Sequence, residues 1–190
     1  PVRSLMAAAA LFATALLTPL AAHAGFTVKI FAEPNDTSTD VTFGALLDEF
    51  DSDHISFFSG AETSDVDGWP VATQMFGAEI TGFLHVASPG EFPLSLGSDD
   101  GAYLFVNDQL VIARPGDRSY AKTTVDVTLP EGYSTFRIAY YNGPCCGTGL
   151  TFEADRLVTI TPVPEPSTYA LMAGGLALVG AGARLRRRPA

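Results

Sequence analysis

The sequence predicts an all-β domain, an antiparallel sandwich or barrel, flanked by an N-terminal signal helix and a C-terminal transmembrane helix. Three observations lead there. Between residues 76 and 152 apolar side chains recur at every second position, turn-forming residues fill the gaps between those runs, and no amphipathic helical pattern interrupts them. About 140 residues lie between the two terminal segments, enough for one domain with its own core.

The chain opens with Met6 to Leu20, rich in Ala and Leu, followed by Ala22-His23-Ala24, the small-x-small pattern that signal peptidase cleaves. Residues 1–24 therefore read as a signal peptide. Arg3 is its positive region, and Gly25 would begin the exported chain. His23 belongs to the cleavage pattern and receives no functional role. The domain spans residues 25–161. Its early part, Asn35 to Val71, scatters Asp48, Glu49, Asp51, Asp53, Asp65 and Asp67 among Phe50, Phe57 and Phe58, which predicts long loops and one helical turn near Phe43 to Phe50.

The alternation starts with Phe76, Ala78, Ile80, Leu84 and Val86. It continues in Leu94 and Leu96, in Ala102, Leu104 and Val106, and in Val125, Val127 and Leu129. Phe136, Ile138 and Tyr140 follow, then Leu150 and Phe152. Each run presents one face to a core and one to solvent. Ser88-Pro89-Gly90, Asn107-Asp108, Pro115-Gly116-Asp117, Pro130-Glu131-Gly132 and Asn142-Gly143-Pro144 supply the turns between them. Short strands at this spacing form sandwiches or barrels.

From Gly25 to Val163 there are 6 Lys and Arg against 20 Asp and Glu, a net charge of −14. Such a surface repels nucleic acid and anionic membranes, and it favours cations or neutral glycans as partners.

At the C-terminal end, Val163-Pro164-Glu165-Pro166-Ser167 precedes the uncharged run Tyr169 to Ala183 and then Arg184, Arg186, Arg187 and Arg188. The prolines fix φ and discourage helix before Ser167, which can cap the helix that follows. At 1.5 Å per residue the apolar run spans roughly 22 Å, short of the roughly 30 Å hydrocarbon core. Snorkelling arginines and local thinning cover the difference. A transmembrane helix is expected over about residues 168–184, with the arginines cytoplasmic and everything before Pro164 outside the inner membrane. In its Pro164-Glu165-Pro166 tripeptide, apolar helix and terminal arginines, the segment 162–190 resembles the PEP-CTERM sorting signal of exopolysaccharide-producing bacteria. That resemblance implies cleavage by an exosortase after transient anchoring in the inner membrane, then delivery to the cell surface or extracellular matrix. An ordinary C-terminal membrane anchor is the alternative.

Ser98-Asp99-Asp100-Gly101 closes one of the strands. Two adjacent carboxylates, followed by a Gly that permits a tight turn, make a hard-oxygen pair suited to calcium; the same triplet also serves as a solvated turn. Around it, Gly90-Glu91-Phe92 before a strand, the run Ser98 to Val106, and Leu129-Pro130-Glu131-Gly132-Tyr133 before Ile138-Ala139-Tyr140-Tyr141 resemble the protective-antigen-type sugar-binding module. That family is a β-sandwich or barrel shared by flocculins, adhesins and bacterial glycosidases. In its calcium-dependent adhesin branch, the resemblance implies, two aspartates joined by a cis peptide hold a calcium ion that grips sugar hydroxyls. Asp99 and Asp100 match that pair. Asn142 matches an asparagine ligand on the loop after Tyr140-Tyr141, and Pro144 and Cys146 fall near positions that supply backbone carbonyls. Here Gly143-Pro144-Cys145-Cys146-Gly147 replaces the loop usual in the family, which bears on the carbonyl ligands and on sugar choice. Calcium takes about 6 to 8 oxygens, leaving room for a vicinal diol, and arrays of such sites raise weak binding by avidity.

Four aromatic residues, Trp69, Tyr103, Phe105 and Tyr141, stand where they could stack on a sugar ring or pack within the sheet. Cys145 and Cys146 are the only cysteines. A disulfide between these neighbours is one state open to them, although a trans peptide holds their Cα atoms about 3.8 Å apart against the usual 4.4–6.8 Å. Pairing with another molecule and a reduced pair are the others. Asp51-Ser52-Asp53-His54-Ile55-Ser56 opens like an EF-hand loop but has Ile55 and Ser56 where a ligand oxygen and a glycine belong. Asp65-Val66-Asp67-Gly68 reads as an acidic turn, and neither His54 nor His85 has zinc-type partners in the sequence. Glycosidic cleavage needs carboxylates about 5 to 9.5 Å apart on facing walls, whereas Asp99 and Asp100 are neighbours. No nucleophile–base pattern or phosphate loop occurs, so no enzyme is expected.

Two functions remain. One is a calcium-dependent carbohydrate-binding surface protein, its ligand held by Asp99, Asp100, Asn142, Tyr103 and Tyr141. The other is a structural matrix protein making protein contacts, with no metal or sugar site.

Overall fold

Residues 25–59, 75–144, 147–162 and 174–175 are described in the computed structural model. The expected signal peptide, Trp69 and the Asp65 to Asp67 turn, Cys145 and Cys146, and the sorting residues Pro164, Glu165, Pro166, Arg184, Arg186, Arg187 and Arg188 lie outside them. Among the described residues no helix is long and apolar enough to cross a membrane.

The described chain from Gly25 to Pro162 is built from strands. In order they are β1 (Phe26–Phe31), β2 (Asn35–Asp36), β3 (Val41–Thr42), β4 (Leu46–Ser52), β5 (Phe57–Ser59), β6 (Phe76–Val86) and β7 (Gly90–Asp99). Then come β8 (Ala102–Val106), β9 (Gln109–Arg114), β10 (Ala121–Leu129), β11 (Gly132–Asn142), β12 (Thr148–Ala154) and β13 (Val158–Thr161). A larger antiparallel sheet runs β4-β1-β6-β11-β8-β9, with β13 continuing the row of β1 along β6. A smaller sheet runs β10-β7-β12-β5. Their inner faces meet in one core: Val28, Ile80, Leu104 and Ile138 from the larger sheet pack with Leu94, Leu96, Leu150 and Phe152 from the smaller. Burial alternates along β1 and β6 as the period-two pattern requires.

The turns behave as their residues dictate. Asn107 and Asp108 both take positive φ, 48° and 62°, in the two-residue β8–β9 hairpin, and Gly116 and Gly132 adopt φ of 85° and 94° in theirs.

A second cluster covers part of the outer face of the larger sheet. Tyr103, Ala139 and Tyr141 pack there under the β2–β3 hairpin, with Val41 above them and Phe43 and Phe105 at the margin. Phe43 also stacks on Phe31, ring centroids 4.5 Å apart. Two expectations change here. The helical turn near Phe43 to Phe50 is instead the edge strand β4, paired to β1 with Glu49 opposite Lys29. Its side chains are mostly exposed, so no apolar alternation marks it, and the acidic residues that suggested a loop protect a sheet edge. Tyr103 and Tyr141 are not on an open face: they are 0% and 5% exposed, because the hairpin covers them.

Candidate functional site

The site forms where the chain leaves one sheet for the other. β7 belongs to the smaller sheet and β8 to the larger, so Asp99, Asp100 and Gly101 carry the crossover. The Asp99–Asp100 peptide is cis. Gly101 sits so close to the Tyr141 ring that a Cβ would lie 2.1 Å from Cε1, and its carbonyl accepts the Tyr141 N–H at 2.9 Å. Only glycine fits that approach.

Both carboxylates are withdrawn from water. Asp99 is 9% exposed and Asp100 4%. Asp100 Oδ1 accepts the Arg118 backbone N–H at 2.8 Å, and Oδ2 accepts the Gly143 N–H at 2.6 Å. Asp99 accepts the Tyr120 N–H, yet burial, and then the charge of Asp100, push its carboxyl above the usual carboxylate range. Neither aspartate has a salt bridge among the described residues.

Tyr140 joins the pair to Asn142. Its ring packs in the core against Phe57 and Phe76, centroids 5.6 and 5.8 Å away. Its hydroxyl donates to the Asp99 carbonyl, shares a hydrogen bond with the Thr148 hydroxyl at 2.7 Å and lies 3.3 Å from Asn142 Oδ1. Burial raises the Tyr140 pKa, so the hydroxyl keeps its proton. Asn142 is itself 3% exposed. Asp99, Asp100 and Asn142 are therefore neighbours, at the ends of β7 and β11. Pro144 is exposed, two residues beyond Asn142. Tyr103 and Tyr141 face the other side of the larger sheet, where both hydroxyls approach Asp36 rather than solvent.

Three contributors escaped the sequence reading. The first is Tyr140, taken there only as a core position. The second is the β9–β10 loop, which supplies the Arg118 and Tyr120 N–H groups. Its Asp117 Oδ1 lies 3.2 Å from where a Cβ on Gly143 would stand, and Asp100 Oδ2 lies 2.8 Å from the same point. The third is Asp36, distant in sequence, which accepts hydrogen bonds from Gly116 N–H at 2.6 Å, Ser38 N–H at 2.7 Å and the Tyr103 hydroxyl. The single signal for these was Pro115-Gly116-Asp117, which marks a turn and not what the turn touches.

Among the described residues no group of three or more His, Cys, Asp or Glu side chains converges as a metal site would. A cation held here needs Asn142 and backbone carbonyls beside the two carboxylates. Oxygens alone are on offer, and each Asp100 oxygen, having accepted one N–H, keeps a lone pair. That donor set fits a hard cation such as calcium.

The sequence matches the PA14 domain over residues 23–149 and the PEP-CTERM protein-sorting motif over residues 162–188. No curated protein matches the chain. Similar solved structures include an anti-sigma factor domain-containing protein from Clostridium clariflavum, 23% identical with a TM-score of 0.54, the match covering 73% of this chain and 46% of that one. The PA14 domain of the antifreeze protein MpAFP is 15% identical with a TM-score of 0.56, covering 77% and 90%. A PA14 sugar-binding domain from an RTX adhesin is 14% identical with a TM-score of 0.50, covering 72% and 93%. The chain thus spans a little under half of the first of these proteins, and at such identities the likeness is one of fold. The chain belongs to the PA14 domain family, and its PEP-CTERM motif marks it as an exported surface protein processed by an exosortase.

Proposed function

We propose that this chain is a calcium-dependent glycan-binding module, adhesin-like, acting at the cell surface or in the extracellular matrix. Asp99, Asp100 and Asn142 are its side-chain ligands, and the Pro144 and Cys146 carbonyls complete the set. The observation that supports the reading is the buried aspartate pair, which makes no salt bridge among the described residues. Two neighbouring carboxylates out of water repel each other, and a divalent cation relieves that repulsion. When bound, calcium supplies open coordination positions for vicinal sugar hydroxyls.

The chain's own residues do the positioning. Tyr140 fixes the backbone at Asp99 and sits against the Asn142 amide oxygen. The Arg118 and Gly143 N–H groups orient the Asp100 carboxylate. Similarity to a PA14 sugar-binding domain from an adhesin supports a sugar as the ligand. Adjacent carboxylates cannot flank a glycosidic bond as acid and base, so the module binds without cleaving.

A second reading has its own observation. Both Asp100 oxygens already tie down loops, which also suits a turn that merely folds the chain in a structural matrix protein.

A glycan array probed with the purified full chain in detergent separates the two. Binding in calcium, lost on chelation and in Asp99→Ala/Asp100→Ala, is expected. Glycan binding that survives chelation would remove calcium from the reading, and a chain that binds no glycan and gains no thermal stability from calcium would leave the structural reading in its place.

A further inference from the structure

Two arginines touch the Ser98 to Asp100 segment, one through the Ser98 hydroxyl and one through its backbone N–H to Asp100, and neither has an acidic partner among the described residues. Arg114, the last residue of β9, is 5% exposed; its Nε donates to Ser98 Oγ at 3.3 Å and its Nη1 to the Thr123 hydroxyl, both neutral acceptors. Arg118 follows in the β9–β10 loop. Its backbone N–H holds Asp100 Oδ1, while its side-chain Nε is buried with no acceptor among the described residues. The two guanidinium groups are close enough to feel each other: burial, and then the charge of Arg118, push the Arg114 pKa down.

This is unexpected in a domain with 20 acidic residues and 6 basic ones. Elsewhere the balance is used: Lys122 pairs with Glu153, and Arg137 with Asp40 and Glu79. A buried donor without an acceptor bears the full cost of leaving water, and a guanidinium fork matches a planar carboxylate. Both facts point to an acceptor that arrives with the ligand.

We propose that Arg118, backed by Arg114, recognises a carboxylate on the bound sugar, so that the glycan taken at the Asp99 and Asp100 site is a uronic acid polymer. This rests on the calcium-dependent glycan reading above. The net charge of −14 does not forbid such a ligand. At physiological salt, exposed charges beyond about 8 Å are screened, and a bound cation would neutralise the aspartates nearest the sugar.

The test uses the full chain in detergent, saturated with calcium, and matched trimers of galacturonate, glucuronate, mannuronate and guluronate, each beside its methyl ester. Capping the carboxylate leaves the sugar hydroxyls intact. Calorimetry is expected to show at least one acid bound on the order of tenfold more tightly than its ester. Arg118→Gln should abolish that preference, bringing the ratio of acid to ester affinity to about one, and Arg118→Lys should restore part of it. Equal affinity for acid and ester, or a preference that persists in Arg118→Gln, overturns the carboxylate assignment and leaves calcium-dependent sugar binding standing. If no acid and no ester binds, the assignment falls; a calcium isotherm that is also absent removes the underlying reading with it.

Discussion

Asp36 and Asp99 each accept a backbone N–H from the same loop, Gly116 for one and Tyr120 for the other, and their acidities move in opposite directions. For Asp36, burial alone would raise the pKa, but hydrogen bonds from Tyr103, Ser38, Gly116 and Tyr141 outweigh it and hold the carboxyl below its usual value. For Asp99, burial and the neighbouring Asp100 outweigh a single donor. A carboxylate ringed by donors is already complete and works as a fastener, here tying the β2–β3 hairpin to the β9–β10 loop. A carboxylate pressed against a second one is held at a cost that a nearby cation would relieve.

Removing the fastener should have the largest effect. Asp36→Ala leaves the buried Tyr103 hydroxyl and the Gly116 N–H without their acceptor, and about 2 to 3 kcal/mol should disappear from the unfolding free energy in a denaturant titration. A loss below about 0.5 kcal/mol would put the two aspartates in the same class. Calcium provides the complementary effect. At a hundredfold excess over its dissociation constant it should add about 2.7 kcal/mol to the wild type and nothing to Asp99→Ala/Asp100→Ala. Tyr140→Phe sharpens the picture from the core side. It keeps the ring contacts with Phe57 and Phe76 but removes the donor to the Asp99 carbonyl, so a loss of about 1 to 2 kcal/mol is expected, together with weaker calcium binding.

The smallest effect is the most diagnostic. Because the folded pKa of Asp99 is raised, the folded state binds that proton more tightly than the unfolded chain does. Without calcium, the contribution of Asp99 to stability should therefore grow as pH falls from neutrality through its raised pKa. The lowered pKa of Asp36 acts in the opposite sense: its contribution is full above the unfolded carboxylate value and lost only at more acidic pH. Calcium-free melting curves should show a shallow rise in stability on mild acidification that is missing in Asp99→Asn.

The strands that face the shared core were legible because their alternation is clean: β6, β7, β8, β10, β11 and β12 announce themselves in Val, Ile, Leu and Phe at every second position. The others were masked for identifiable reasons. In β1, Phe26, Val28 and Ile30 follow an apolar stretch of sequence and merge with it. In β9 a bulge between Leu104 and Phe105 of its partner strand accompanies an exposed Leu110, and a charged residue, Arg114, occupies a buried position and interrupts the apolar alternation. In β4 the side chains face solvent. Of the candidate site, Asp99 and Asp100 were visible through their local motif and Asn142 through the family resemblance. Tyr140, Asp36 and the loop bearing Arg118 were not, since each contributes through a contact remote in sequence: 41 positions separate Tyr140 from Asp99, and 80 separate Gly116 from Asp36.

A calorimetric titration of calcium into the full chain at neutral pH, run beside Asp99→Asn and Asp36→Asn, decides whether the two aspartates differ as described. A saturable isotherm in the wild type and in Asp36→Asn, absent in Asp99→Asn, is the expected result. No heat in the wild type, or an isotherm that Asp99→Asn leaves untouched, would mean that the buried pair only folds the crossover between the sheets.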